Sequence, residues 1–337
     1  MKQPIKTALI GLGLSGQVFH LPFLRENKNF EVTTVLSRNE ELKNKLLPNA
    51  KRVTEFEEVL NSNIDLIVIA SPNSTHFSYG KQAIEKGIDF VVEKPFANTY
   101  QEAKQLQELA QRNGTKIHVF QNRRLDGDFL TLKKIIQEKT LGKLSLFESH
   151  FDRFSPVLKG NWREEKGAGN GVFFDLASHL IDQIVGLFGT PEEVLCDLSI
   201  QRPQGVVNDY FHVVMRYGQM RAIAHGSCFV MGPKPRFFIH GDQGSFVKYG
   251  LDPQEKSLRA GEHPSEEGFG TEPQHLWGKL YNEKETQTIR TVPGDYAQFY
   301  QTVADKHALV EPQEAVEVIR ILEACEKSYR DKSSITL

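Results

Sequence analysis

Short apolar runs alternate with amphipathic stretches through the first third of the chain. Residues 7–10, 31–36, 66–70, 90–92 and 116–120 are apolar enough to be strands buried on both faces. Between them, residues 16–25, 75–86 and 100–113 have helical spacing. The last is well delimited: Thr99 is placed to cap its first turn, Glu102 lies within that turn, and Gly114 follows its end. Strand–helix alternation of this kind predicts a parallel sheet with helices on both faces.

Beyond about residue 122 the pattern changes. Residues 194–200, 210–216, 221–229, 236–240 and 245–249 read as longer strands, and tight turns such as Tyr217-Gly218-Gln219 join several of them. Short connections mean antiparallel pairing. Helical spacing covers residues 177–187, 296–307 and 312–329. Residues 250–285 are polar without a clear period and read as a surface excursion. The expected fold is α/β: a dinucleotide-binding domain over residues 1–122, then an α/β domain over 123–337 with a large, mainly antiparallel sheet.

Composition narrows the function classes. The chain has 337 residues, a size that suits two domains, and a formal net charge of −2, which gives no electrostatic reason to expect nucleic acid or an anionic membrane as partner. No apolar run approaches the length of a membrane span, and the start, Met1-Lys2-Gln3-Pro4, is not that of a signal peptide. Cys196, Cys228 and Cys325 form no Cys-x-x-Cys pair, so neither a cysteine-based zinc site nor a disulfide framework is expected, and a reducing cytoplasm fits best.

Four constellations in the first domain carry candidate chemistry. Gly11-Leu12-Gly13-Leu14-Ser15-Gly16 follows the first strand and opens the first helix, the context in which glycines let a pyrophosphate approach a helix N-terminus. The second strand ends in Ser37-Arg38, where an acidic residue would favour NAD and an arginine suits a 2′-phosphate, so NADP is favoured and NAD stays an option. An arginine solvated beside Glu40 and Glu41, with which it could pair, is the structural alternative. Ser71-Pro72-Asn73-x-x-His76 follows the next strand; Asn73 and His76 could touch the nicotinamide half or cap the helix. Lys94 ends the apolar run 88–92 in Glu93-Lys94-Pro95, at the strand edge where α/β proteins bind ligands.

Asp175 and His179 stand four residues apart, on one face of a helix start, behind the glycine-dense run Gly167-Ala168-Gly169-Asn170-Gly171. Such a pair suits proton transfer, although many Asp/His pairs only decorate a helix surface. Arg124 and Arg163 could each line a polyol or phosphate pocket or form an inter-domain ion pair; the ion-pair reading is favoured for Arg124, and both stay open for Arg163.

Taken in order, Gly11-x-Gly13-x-x-Gly16, Ser71-Pro72-Asn73-x-x-His76, Glu93-Lys94-Pro95 and Asp175-x-x-x-His179 resemble the Gfo/Idh/MocA oxidoreductases over nearly the whole chain. Asn122-Arg123-Arg124-Leu125-Asp126, Phe151-Asp152-Arg153-Phe154, Trp162-Arg163-Glu164 and Asp209-Tyr210-Phe211-His212 are most similar to the bacterial NADP-dependent scyllo-inositol dehydrogenases and their relatives. The resemblance implies a Rossmann domain followed by an α/β domain whose sheet commonly makes a homodimer or homotetramer interface. It implies Lys94, Asp175 and His179 as the catalytic set and allows a cis Lys94–Pro95 peptide. The cofactor positions expected are Gly11, Leu12, Gly13, Leu14, Ser15, Gly16, Ser37, Arg38, Ser71, Pro72, Asn73, His76, Glu93, Lys94 and Asn122. Those expected at the substrate are Lys94, Arg163, Asp175 and His179, with no metal. Leu125 departs from that branch, which usually carries an aromatic there.

The reaction these residues imply is oxidation of a secondary alcohol on a cyclic polyol or sugar, with hydride passing to NADP. The alternatives are a dehydrogenase of another sugar, a redox-assisted glycosidase, or a non-catalytic NADP-sensing regulator on the same fold.

Overall fold

Every residue of Leu66–Ile69 and of Ile117–Phe120 is buried, as parallel strands covered on both faces require. The computed structural model describes residues 3–160, 164–167 and 169–337. The chain forms two compact units, one of Met1–Leu125, Gln254–Gly270 and Asp295–Val316, the other of Asp126–Pro253, Thr271–Gly294 and Glu317–Leu337.

The first unit is a Rossmann fold. Its strands are β1 (Ile5–Ile10), β2 (Phe30–Leu36), β3 (Lys51–Val53), β4 (Leu66–Ile69), β5 (Asp89–Glu93) and β6 (Ile117–Phe120). They pair in parallel in the order β3-β2-β1-β4-β5-β6. The order reverses between β1 and β4, which opens a crevice at their carboxyl ends. The connecting helices are α1 (Leu21–Glu26), α2 (Glu40–Leu46), α3 (Phe56–Leu60), α4 (His76–Glu85) and α5 (Tyr100–Asn113). Helix α5 begins in the capping box its sequence announces: Thr99 Oγ1 accepts from Glu102 N at 3.1 Å, and Glu102 accepts from Thr99 N at 3.3 Å. It ends at Gly114 with φ 69°.

Strand β3 and helices α2 and α3 go beyond the sequence expectation. Only Val53 of Lys51-Arg52-Val53 is buried, so an edge strand of three residues leaves no periodicity to read. Two later helical segments, Gln254–Ala260 and Ala297–Ala304, belong to this unit as well. Tyr296, Phe299, Tyr300 and Val303 join Leu9, Val35, Phe120 and Leu125 in one buried cluster. Leu125, 2% exposed, is therefore a core side chain.

The second unit holds a nine-stranded sheet built from β7 (Leu144–His150), β8 (Glu193–Ser199), β9 (Tyr210–Tyr217), β10 (Met220–Ser227), β11 (Pro235–Gly241), β12 (Ser245–Tyr249), β13 (Gly278–Tyr281), β14 (Thr286–Ile289) and β15 (Ile335–Thr336). The order is β14-β13-β12-β11-β7-β10-β9-β8-β15, antiparallel throughout except at β7–β10. Strict alternation on β9 buries Phe211, Val213 and Met215. Helices α6 (Gly127–Gln137) and α7 (Ser178–Phe188) belong to the same unit, and α7 is buried from Ser178 through Val185. No helix among the described residues is long and apolar enough to cross a membrane.

The reading of residues 250–285 as a surface excursion is corrected here. The segment contributes β13 to the sheet and buries Leu280, Asp252, Gln254 and Glu272. Its buried polar groups find partners outside the segment: Lys248 Nζ donates to Glu272 at 3.0 Å, Thr291 Oγ1 donates to the other Glu272 oxygen, and Asp252 accepts from Gly127 N at 2.7 Å. Polar composition therefore conceals burial. Removing one member of a buried ion pair leaves the other uncompensated, at a cost of about 3–5 kcal/mol. Glu272→Ala is expected to lose that much in chemical denaturation, with Glu272→Gln losing less.

Candidate functional site

The glycines of the first loop have three different tasks. Gly11 has φ 98°, and a Cβ there would lie 2.9 Å from the Ala70 carbonyl oxygen. A Cβ on Gly16 would fall 2.2 Å from the Gly11 carbonyl oxygen, so the helix start packs directly on the turn. A Cβ on Gly13 meets nothing within 4 Å. The loop is thus tight where it touches the sheet and open where a pyrophosphate would approach. Leu12 is buried and Leu14 is exposed at 44%.

A buried carboxylate ties this loop to the end of β5. Glu93 accepts from Ser15 Oγ, from His20 Nε2 at 3.0 Å and from the backbone N–H of Lys94 at 3.1 Å. With the Nε2 proton given to Glu93, His20 Nδ1 accepts from the Tyr300 hydroxyl at 2.6 Å. Burial alone would raise the Glu93 carboxyl; the His20 and Ser15 hydrogen bonds and the Lys94 charge outweigh it and hold it below the ordinary value. Burial pushes the Tyr300 hydroxyl well up, and the Glu93 charge adds to this.

Lys94 follows Glu93 at the carboxyl end of β5, and the Lys94–Pro95 peptide is cis. His76 anchors the far side of that peptide. Its Nδ1 lies 2.8 Å from the Pro95 carbonyl and its Nε2 lies 3.1 Å from the Ser71 carbonyl. Burial lowers its pKa, and the neutral ring with its one N–H donates to one of these two carbonyls while packing against the other. Ser71 Oγ bonds Thr75 Oγ1 at 2.6 Å, Pro72 is exposed, and the carbonyl of Asn73 accepts from Asn98 Nδ2 at 3.3 Å. Asn122 is buried at the carboxyl end of β6.

At the end of β2 one proposed partner of Arg38, Glu40, is engaged elsewhere. Glu40 pairs with Arg52 at 3.2 Å, a residue whose guanidinium also reaches the Ser37 carbonyl at 3.4 Å. Ser37 is buried, and its hydroxyl turns back to Asn39. Arg38 is exposed and makes no ion pair among the described residues. Two guanidiniums therefore mark this edge, and the second could not be seen in the sequence because β3 could not. Arg124 pairs with Glu314 at 3.1 Å, an ion pair as expected but within one unit rather than between domains.

In the second unit, Asp175 lies in the π-helical turn Phe173–Ala177 and His179 in the first turn of α7. The turn is set by Asn208: its side-chain oxygen accepts from Phe173 N at 2.7 Å, and its carbonyl accepts from Val172 N at 2.9 Å. Gly171, at φ 92°, passes so close to Asn208 that a Cβ would lie 2.8 Å from it. The His179 ring is 6% exposed and meets Phe151 edge-on at 6.4 Å. One turn along the helix, Gln183 accepts from Arg236 at 2.7 Å, and that guanidinium lies 4.1 Å over the Phe151 ring. Ahead of the turn, Glu164 accepts from Lys159 N, Gly160 N and Arg202, whose guanidinium also holds Asp209 at 3.0 Å. Asn208, Gln183 and Arg236 escaped the sequence reading, since each looks like an ordinary surface residue when its partners are unknown. Arg163 lies outside the described residues.

Comparison with known proteins agrees with this architecture. Residues 5–121 match the NAD-binding Rossmann fold of an oxidoreductase family, and residues 133–337 match the C-terminal alpha/beta domain of that family. An uncharacterised oxidoreductase of Escherichia coli, YdgJ, is 39% identical over the full length of both chains. The scyllo-inositol 2-dehydrogenase (NADP(+)) IolW of Bacillus subtilis is 38% identical, covering 99% of this chain and 96% of its own. Among solved structures, Bacillus subtilis yvaA superposes with a TM-score of 0.97 at 36% identity, over 100% of this chain and 99% of its own. An oxidoreductase from Bacillus cereus superposes at 0.91 with 35% identity, over 99% and 98%.

The loop geometry separates folding from cofactor binding. Gly16→Ala forces a methyl into a backbone carbonyl and is expected to cost about 1–3 kcal/mol. Gly13→Ala has room and should melt like the parent, yet bind a nicotinamide dinucleotide more weakly. Thermal melts alongside fluorescence titration with the reduced cofactor check both.

Proposed function

We propose that this chain, which belongs to the Gfo/Idh/MocA oxidoreductase family, is an NADP-dependent dehydrogenase that oxidises a secondary alcohol of a cyclic polyol or sugar to the ketone. The observation that carries the reading is Lys94, a cation at the carboxyl end of β5 whose backbone N–H is held by the Glu93 carboxylate. The likeness to IolW supports an inositol-like substrate and NADP. The exposed Arg38 guanidinium, with Arg52 beside Ser37, suits a 2′-phosphate better than ribose hydroxyls alone.

In this proposal Gly11, Gly13 and Gly16 hold the pyrophosphate at the helix start, and Arg38 takes the 2′-phosphate. Bound NADP supplies the hydride acceptor at C4 of its nicotinamide. The imidazole of His179 removes the proton from the substrate hydroxyl as the hydride leaves the same carbon. Lys94 Nζ donates to the developing alkoxide and stabilises its charge. Asp175 orients the substrate hydroxyl, and Asn208 positions Asp175 by fixing the turn on which it rides. Retention of both Lys94 and His179 favours an enzyme over a sensor. A homodimer or homotetramer in the cytoplasm is part of the same proposal, in keeping with three free cysteines, all buried.

A screen of cyclic polyols for NADP reduction tests the activity; reduction with none of the inositols or hexoses would remove it. Within an active protein, His179→Ala is expected to cut turnover about 10²–10⁴-fold while NADPH binding stays near normal. Arg38→Ala should weaken NADP by about 10–100-fold, the worth of a charge-assisted hydrogen bond, and leave NAD unchanged. An unchanged ratio of the two affinities would take Arg38 out of cofactor selection.

A further inference from the structure

On the sheet of the second unit, three side chains converge on a point that the dehydrogenase proposal leaves unused. His150 at the end of β7 and His225 on β10 are direct register partners, and Asp152 lies two residues past His150. Their ligand atoms all lie within 4.8 Å of one another. The side chains are 8%, 9% and 5% exposed, so each is more than nine-tenths buried. Alternation along the strand turns Phe151 toward His179 and its neighbour His150 to the opposite face.

The oxygens of Asp152 stand off from the two rings at distances that suit ligands sharing one cation. His150 Nδ1 stands 3.6 Å from Asp152 Oδ2, and His225 Nε2 stands 3.3 Å from Asp152 Oδ1. Neither carboxylate oxygen of Asp152, nor Nδ1 of His150, has a hydrogen-bond partner. Two ligands on a tetrahedral zinc ion, each bonded at about 2.0–2.1 Å, lie about 3.3 Å apart. Burying an anion and two imidazoles this closely without hydrogen bonds is costly unless something sits between them.

The surroundings fix the ring nitrogens in the sense a metal needs. Glu148 Oε2 accepts from His150 Nε2 at 2.9 Å, which leaves the Nδ1 lone pair pointing at Asp152. A carboxylate behind a histidine is the usual support of a metal-bound imidazole. On the other ring, His225 Nδ1 lies 3.3 Å from His212 Nδ1, which is able to accept its proton. Lys234, 42% exposed, stands 3.6 Å from Asp152 and is the competing cation. A surface depression lined by Val230, Lys234 and Leu251 reaches His150 and Asp152 and provides an entry path.

We propose that His150 Nδ1, Asp152 and His225 Nε2 bind a divalent transition ion of the zinc class, with Glu148 and His212 orienting the two rings. Three protein ligands leave a fourth position for water or an outside donor. Imidazole and carboxylate together suit zinc rather than magnesium or calcium. The inference does not rest on the dehydrogenase reading, since the hydride transfer proposed above needs no metal.

The test uses the full-length chain, stripped with a chelator and titrated with Zn²⁺ by calorimetry. Co²⁺ serves as a visible-absorption probe of coordination. One equivalent per chain is expected, with the intense visible bands of a four-coordinate Co²⁺ site. The isosteric Asp152→Asn should weaken Zn²⁺ binding at least about 100-fold and abolish those bands. Glu148→Gln, which touches no metal, should weaken it about 10–100-fold. Melting curves without metal establish that both variants fold. Absence of a saturable Zn²⁺ site in the parent overturns the proposal. So does a site that folded Asp152→Asn and Glu148→Gln leave intact, since the ion would then sit on other histidines.

Discussion

The first unit depends on one buried carboxylate. Glu93 is 12% exposed and receives three donors: Ser15 from the glycine loop, His20 from the helix behind that loop, and the backbone N–H of Lys94. Desolvating a carboxylate costs several kcal/mol, and donors to a charged group return about 1.5–3 kcal/mol each, so the three together offset the burial. The consequence is mechanical. The loop shaped for a pyrophosphate and the lysine at the end of β5 cannot shift independently. Through His20 and Tyr300 the same carboxylate is linked to the helix Ala297–Ala304, which the chain supplies only near its end.

The second unit solves a similar problem with amides and guanidiniums. Asn208 closes the turn that carries Asp175, and Arg236 lies under Phe151 while bonded to Gln183. The first network fixes the turn ahead of α7, and the second bonds α7 one turn beyond His179. The pattern is shared with Glu93: buried polar side chains fix the backbone on which the expected ligand-binding residues ride. Buried polar groups of this kind are tolerated only when every partner is present.

This division of labour explains what could be read from the sequence. Periodicity exposes elements whose burial is apolar, and so β4, β6, α5 and the alternation of β9 were legible. The glycine loop and Glu93-Lys94-Pro95 were legible too, since backbone constraints select those residue types. Strand β7 was missed although it is central to its sheet, because Leu144-Ser145-Leu146-Phe147-Glu148-Ser149-His150 mixes polar residues on both faces. Residues 250–285 misled for a related reason, their burial being carried by Asp252, Gln254 and Glu272. The His150–Asp152–His225 cluster was invisible because strand register, not spacing, joins its members. Resemblance to a family supplied the order of the motifs; it had nothing to say about Arg52 or Asn208.

The claim that organises the first unit is that Glu93 couples the dinucleotide loop to Lys94. Titration of Glu93→Gln with NADPH, followed by cofactor fluorescence beside a melting curve, measures it most directly. The amide keeps the shape but gives up the charge on which Ser15, His20 and Lys94 N converge. At least about tenfold weaker binding in a protein that still folds is the result this account requires. Parental affinity in a parental fold would show that the loop holds its form without the carboxylate.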